Sequence, residues 1–315
     1  MKFLFNRFIV VLIPLLSFCS SADSGEVSSS FQGNRWFAKD TTNQFFQDIR
    51  IPPIPAEANF AGERVPLEYF DVRESLKREV TGLSFFHGTM IYIMQLDNRY
   101  GKTIKRILKE EGVPEDLYYI CIAESGLQPV VSPANAAGYW QFLAGTAKEY
   151  GLVVDTEVDE RYHIEKSTRA AAAYFKKAYQ EFGSWTMAAA SYNTGFKNIR
   201  YRMDIQSKTN YYDTQFVEET GRYVFRAVAF KTVLTNREKY GFNLSEEDLY
   251  PELEYNEVEV KGAVTNWSEF ATKHNTNFKL LKIFNQWIRA NQLDNRQNRT
   301  YVVQVPKKGF RETTK

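Results

Sequence analysis

The sequence predicts a mainly α-helical protein that ends in a small α+β module, and three observations carry that expectation. Apolar residues recur at helical spacing from Val72 to about Lys239. Two runs of small residues, 170–173 and 188–191, would let helices approach closely. Beyond Tyr255 the pattern changes: residues 255–260 alternate as a strand, 301–305 form a second strand-like run, and two stretches of helical spacing lie between them.

Taken in order, Lys2 and Arg7 flank the start of an apolar run, 8–18, that is too short to span a bilayer. With the small residues after it, this is the layout of an export signal over residues 1–22. Two processing routes are open. Cys19 would carry the acyl chains of a lipoprotein, although bulky Phe18 precedes it; cleavage after Ala22 is helped by small Ser20 two positions earlier. Residues 23–71 are rich in Ser, Asn and Pro and contain Ile51-Pro52-Pro53-Ile54-Pro55. They are expected to form a tether followed by an extended strap, with Phe60, Val65, Leu67, Tyr69 and Phe70 available to lie against the core. Helices are expected over 72–83, 87–98, 101–111, 114–124, 141–150, 167–182, 185–192 and 219–236, all within a domain spanning 72–241. Ser167 is the expected N-cap of its helix and Gly183 the expected stop. The terminal module, 255–306, is expected to run strand 255–260, helices 267–274 and 278–288, strand 301–305.

Composition excludes several functions. The 315 residues can hold one good-sized core and a small module, and 43% apolar with 25% charged residues is ordinary for a globular protein. A formal charge of +2 with no long basic run gives no reason to invoke nucleic acid. Of two cysteines, Cys19 would be lipidated or removed, which leaves Cys121 without a disulfide partner and best placed as a small core residue. His87, His163 and His274 show no metal-ligand spacing, and no glycine-rich phosphate loop is present. No metal or cofactor is expected, so carboxylate and hydroxyl groups must carry any chemistry. No repeat or coiled-coil pattern asks for an oligomer, and a monomer is expected.

The candidate for that chemistry is Glu124. Pro114 suits a first helical turn, Glu115 and Asp116 complement its positive end, and Leu117, Ile120 and Cys121 follow at helical spacing. Glu124 lies seven, four and three residues beyond those three, so its carboxylate shares their apolar stripe. Burial disfavours the charged form and raises a carboxyl's pKa, which suits a general acid working near neutral pH. That helix by itself equally fits a buried Glu satisfied by an arginine.

Three later segments complete a pattern: Gly138-Tyr139-Trp140-Gln141-Phe142, Ser191-Tyr192-Asn193-Thr194-Gly195, and Glu219-Thr220-Gly221-Arg222-Tyr223-Val224. With Glu124-Ser125 ahead of them, they resemble the four ordered motifs of the Slt-type lytic transglycosylases of glycoside hydrolase family 23, and within it the membrane-bound lytic transglycosylase D branch. The similarity runs from about residue 75 to 240 and takes in Asp159-Glu160-Arg161 and 167–172. Two departures are small: Gly-Tyr-Trp-Gln stands where the family more often has Gly-Leu-Met-Gln, and Ser-Tyr-Asn where it has Ala-Tyr-Asn. The terminal module resembles a degenerate LysM module, with Gly262-Ala263-Val264-Thr265 in place of the usual Gly-Asp-Thr.

The resemblance implies a lysozyme-like helical catalytic domain acting on the glycan strands of peptidoglycan. Glu124 would protonate the glycosidic oxygen between N-acetylmuramic acid and N-acetylglucosamine, then act as base toward the muramoyl C6 hydroxyl, closing a 1,6-anhydro ring. Ser132, Gln141, Tyr192, Asn193 and Glu219 would contact substrate. Ser125, Tyr139 and Tyr223 would support: Ser125 by capping the helix end or holding a loop, Tyr223 as wall, and one of Tyr139 and Trp140 as groove lining with the other in the core. The branch also implies an exported, periplasmic protein, anchored to the outer membrane if Cys19 is acylated. Two other readings stay open: a hydrolytic muramidase that draws a second carboxylate from Asp155, Glu157, Asp159 or Glu160, and a catalytically idle peptidoglycan-binding protein.

Overall fold

The computed structural model of the protein describes residues 50–312; the expected export signal, Cys19 and most of the expected tether lie outside the described residues. The strap does not stay extended. It folds into an antiparallel hairpin of β1 (Ala58–Phe60) and β2 (Glu63–Val65), with Ala58 opposite Val65. Phe60, Val65 and Leu67 are buried as expected, whereas Tyr69 and Phe70 are exposed. Helix α1 (Phe70–Phe85) starts there, and its core-facing stripe begins only at Val72.

Helix α2 (His87–Leu96) does not break before the next helix. A π-helical turn, Asp97–Gly101, carries the chain straight into α3 (Lys102–Glu110). A short 3₁₀ turn, Glu115–Leu117, then leads into α4 (Tyr118–Ser125). Tyr118, Tyr119, Ile120, Cys121 and Ile122 are all buried, so α4 is enclosed on nearly every side and not only along one stripe. Cys121 is a core thiol, as expected.

Next come α5 (Ala144–Glu149), α6 (Ile164–Phe182), α7 (Trp185–Thr194), α8 (Phe196–Gln206) and α9 (Glu218–Thr235). Helix α6 starts a turn earlier than expected; Ser167 is not its cap but sits inside it, its Oγ donating back to the His163 carbonyl at 2.8 Å. Gly183 does end it, in the left-handed conformation. Helix α8 was not anticipated, because it buries only Ile199 and so shows little apolar periodicity. Helix α9 packs along α1, α4 and α7, and α6 joins α3 to α7. The small residues Ala171, Ala172, Ala188, Ala189 and Ala190 are fully buried at these contacts, where larger side chains would force the helices apart.

The terminal module has the expected order: β3 (Tyr255–Val260), α10 (Trp267–Lys273), α11 (Phe278–Phe284) and β4 (Tyr301–Pro306). The strands pair antiparallel, Tyr255 opposite Pro306. Helix α11 stops four residues short of expectation because Asn285 leaves the helix. Its buried side chain pairs with β4, donating to the Gln304 carbonyl at 2.6 Å and accepting from the Gln304 amide at 2.8 Å.

The strap also adds to the cap of a helix whose own N-cap, Ser184, accepts from the Met187 amide at 3.3 Å. Helix α7 begins at Trp185, and the Glu63 carboxylate of β2 accepts from the backbone amides of Trp185 and Thr186 and from the hydroxyls of Ser184 and Thr186. It serves as an anionic N-cap supplied from more than a hundred residues away. Glu63→Ala is expected to destabilise the protein by about 1–2 kcal/mol, the usual cost of losing an N-cap. Urea denaturation would show this as a lower midpoint with an unchanged slope.

Candidate active site

Gly126 ends α4 at φ +59°, and Leu127 follows at φ +62°, so the chain turns sharply and leaves Glu124 on the last helical turn. Glu124 as a whole residue is half-buried, and protein groups surround its carboxyl. Burial raises its pKa to about 7; a hydrogen bond from Tyr223 and the positive charge of Arg226 pull it down, while the negative charge of Glu219 pushes it up. Tyr223 is therefore more than wall. Its hydroxyl donates to Glu124 Oε1, and its own ionisation is pushed far up by burial and by the Glu124 charge. Arg226 and this use of Tyr223 were missed in the sequence. The spacing on α9 could have suggested both, since Glu219, Tyr223 and Arg226 follow at intervals of four and three.

The second wall is the loop after α4. Ser125 Oγ donates to the Tyr139 carbonyl at 2.7 Å, so Ser125 holds the loop, and the Cys121 thiol donates to the same oxygen at 3.2 Å. Tyr139 and Trp140 are both buried, at 3% and 0% exposure, so neither lines a groove. Trp140 Nε1 donates to Thr168 Oγ1 at 2.9 Å, and Tyr139 Oη to Gln286 Oε1 at 3.1 Å. Gln141 stands at φ +50°, its amide nitrogen donating to the carbonyls of Val130 and Gly138 at 2.9 and 2.7 Å. Ser132 Oγ accepts from the Ala136 amide at 3.1 Å and closes the 132–136 turn.

Helix α7 brings the third group. Tyr192 Oη donates to the Trp140 carbonyl at 2.7 Å while its ring stacks on Phe175, so this hydroxyl is fastened to the loop backbone. Asn193 joins α7 to the start of α9, accepting from Thr220 Oγ1 at 2.7 Å and donating to Glu219 Oε1 at 3.4 Å. Ser125 and Tyr192 thus fasten the Tyr139 and Trp140 carbonyls of the loop, while α9 brings the Tyr223 hydroxyl and the Glu219 charge to Glu124.

The four carboxylates on which a second catalytic acid could have drawn are committed elsewhere. Asp155 accepts from the amides of Glu157 and Val158, and Glu157 from the amide of Asp294. Asp159 pairs with Arg161 at 2.7 Å, and Glu160 accepts from the Val153 amide and pairs with Lys166. The Asp159-Glu160-Arg161 turn is structural: the Arg161 guanidinium donates to the carbonyls of Asn135 and Phe142, both at 3.0 Å, and so pins the site loop. Gly138 is required where the two meet. At φ +80° any Cβ there would lie 1.9 Å from the Arg161 carbonyl oxygen. Gly138→Ala is expected to lower stability by about 3 kcal/mol or more, the upper range for forced overpacking, seen as a lower thermal midpoint.

Comparison with known proteins follows the same division of the chain. Residues 102–214 match the Transglycosylase SLT domain, and residues 256–309 the Soluble lytic transglycosylase C-terminal LysM-like domain. Membrane-bound lytic murein transglycosylase D of Escherichia coli strain K12 is 27% identical over 238 residues, covering 73% of this chain and 50% of that protein; the same protein of Escherichia coli O6:H1 gives the same values. The chain spans about half the length of the curated relatives it matches. A solved structure, the 70 kDa soluble lytic transglycosylase from Escherichia coli, aligns over 62% of this chain and 34% of its own, at 19% identity and a TM-score of 0.39. The chain carries a transglycosylase SLT domain followed by a LysM-like C-terminal domain, and is homologous to Escherichia coli membrane-bound lytic murein transglycosylase D.

Proposed function

We propose that the protein is a lytic transglycosylase that cuts the β-1,4 bond between N-acetylmuramic acid and N-acetylglucosamine in peptidoglycan, releasing 1,6-anhydro-muramoyl ends. The observation that supports this most is a half-buried glutamate at a helix end, Glu124, bonded by Tyr223 and with its pKa raised to about 7, in a site where the loop carboxylates are already committed. Tyr223 holds Oε1 and leaves Oε2 to carry the working proton. Glu124 gives that proton to the departing O4 as the C1–O4 bond breaks, and burial favours its protonated form beforehand. The carboxylate then takes the proton from the C6 hydroxyl of the same sugar, and O6 bonds to C1. Glu124 ends protonated, as it began, and no water is consumed. Attack from within the bound sugar gains from proximity. Gln141, with its donors turned to the loop, would offer the substrate an acceptor; Ser132, Asn193 and Glu219 would contact it as well. The apolar run at 8–18 and the membrane-bound relative support an exported, membrane-associated protein, with Cys19 as the acyl acceptor.

Mass spectrometry of muropeptides released from purified peptidoglycan tests the reaction. The native protein is expected to release products ending in 1,6-anhydro-muramic acid, and Glu124→Gln, folded, to release none. Products one water heavier would mean hydrolysis, and no release by the native protein would mean binding without catalysis.

The pH dependence carries its own sign. The acid must enter protonated, so kcat/KM is expected to hold below pH 7 and to fall as pH rises through about 7. At an ordinary glutamate pKa of 4.5, only about 1 molecule in 300 would be protonated at pH 7. Tyr223→Phe removes a bond that favours the charged form, so the alkaline limb of its profile is expected to move to higher pH.

A further inference from the structure

The terminal module does not hang from a linker. Its core takes in three residues of the preceding domain: Ala137, Val158 and Tyr162 are buried together with Trp267, Ile288 and Tyr301. Ala137 belongs to the site loop itself, where its backbone bridges both Val131 and Phe142. The backbone of 157–159 pairs with that of 287–289 like a short strand. The Asp159 amide donates to the Trp287 carbonyl at 2.9 Å, the Arg289 amide to the Glu157 carbonyl at 2.8 Å, and Val158 bridges Ile288. The Arg289 guanidinium lies 4.3 Å over the Tyr162 ring. Gln286 accepts from Tyr139, whose own carbonyl is the one held by Ser125 on the catalytic helix.

We propose that this module is a brace for the active-site wall, in which Gln286 and the backbone of 287–289 are positioning elements that hold the 130–142 loop against α4. Two routes lead inward. One runs from Gln286 through the Tyr139 ring to the Tyr139 carbonyl and Ser125, next to Glu124. The other runs from Trp287 and Arg289 through the 157–159 backbone to Arg161, which grips the loop at Asn135 and Phe142. The loop needs such support because Asn135 and Gln141 are held at positive φ, a conformation that non-glycine residues keep only when their surroundings enforce it. The residues between α11 and β4, which include 286–289, are thereby given over to the neighbouring domain. This inference rests on the catalytic reading for its effect on turnover, but not for its effect on the loop.

The test uses the full chain with Gln286→Leu, which keeps the side chain's bulk and removes the acceptor, Tyr139→Phe, which removes the donor, and Gln286→Glu, which restores an acceptor. Hydrogen exchange at Ala137 and Gly138 is expected to rise about 5-fold in Gln286→Leu, the equivalent of one lost hydrogen bond, with α6 and α7 unchanged. The same variant should lose about 5-fold in kcat at constant KM; Tyr139→Phe should match it, the double variant should add nothing, and Gln286→Glu should recover. Unchanged exchange in the loop overturns the proposal. So does a loosened loop with kcat intact, or a loss that falls on KM alone, which would make the module a substrate-capture element. If the native protein releases no anhydro-muropeptide, the catalytic reading fails on its own, and the exchange measurement still decides the brace.

Discussion

A carboxyl can be kept largely out of water and still face a substrate only if the walls around it do not move, and in this protein that constraint falls on one carbonyl oxygen. The Tyr139 carbonyl receives both Ser125 and Cys121 from the last turns of α4. It thereby fixes how the following loop stands against Glu124. Both donors are buried, so water does not compete for the bond. The next carbonyl, that of Trp140, is taken by Tyr192 from α7. Two consecutive peptide groups thus tie three parts of the chain together beside the site.

The electrostatics of Glu124 follow from what these ties place around it. Helix α9 presents a hydroxyl, a positive charge and a negative charge to one carboxyl, and their effects oppose one another. Burial is the largest influence, which is why the pKa stays raised despite Tyr223 and Arg226. Arg226 also lies 3.8 Å from buried Glu79 on α1, which binds Arg222 at 2.6 Å.

Parts of the chain that look peripheral in sequence turn out to hold this centre in place. The β1–β2 hairpin caps α7, the helix that delivers Tyr192 and Asn193. Asp116, just ahead of α4, accepts from the hairpin's Ala61 amide and from Lys231 of α9 at 2.7 and 2.8 Å. The terminal module closes the far side by taking Ala137 into its own core.

The sequence by itself determined the class of fold, most of its helices in their order and the strand–helix–helix–strand module, and it singled out Glu124 as the candidate acid. Each of these depends on local periodicity or on residues in fixed order along the chain, such as Leu117, Ile120, Cys121 and Glu124 on successive turns. Where local pattern was weak it failed: α8 buries one residue and was not seen, and Asn285 ended α11 by reaching a strand nineteen residues on. What only the tertiary structure decided is which polar groups meet. Tyr223 finds Glu124 across 99 positions of sequence, Glu63 caps α7 across 123, and Gln286 finds Tyr139 across 147. A hydrogen bond depends on a few tenths of an ångström between atoms that packing alone brings together, and side-chain spacing along one element cannot specify such a meeting.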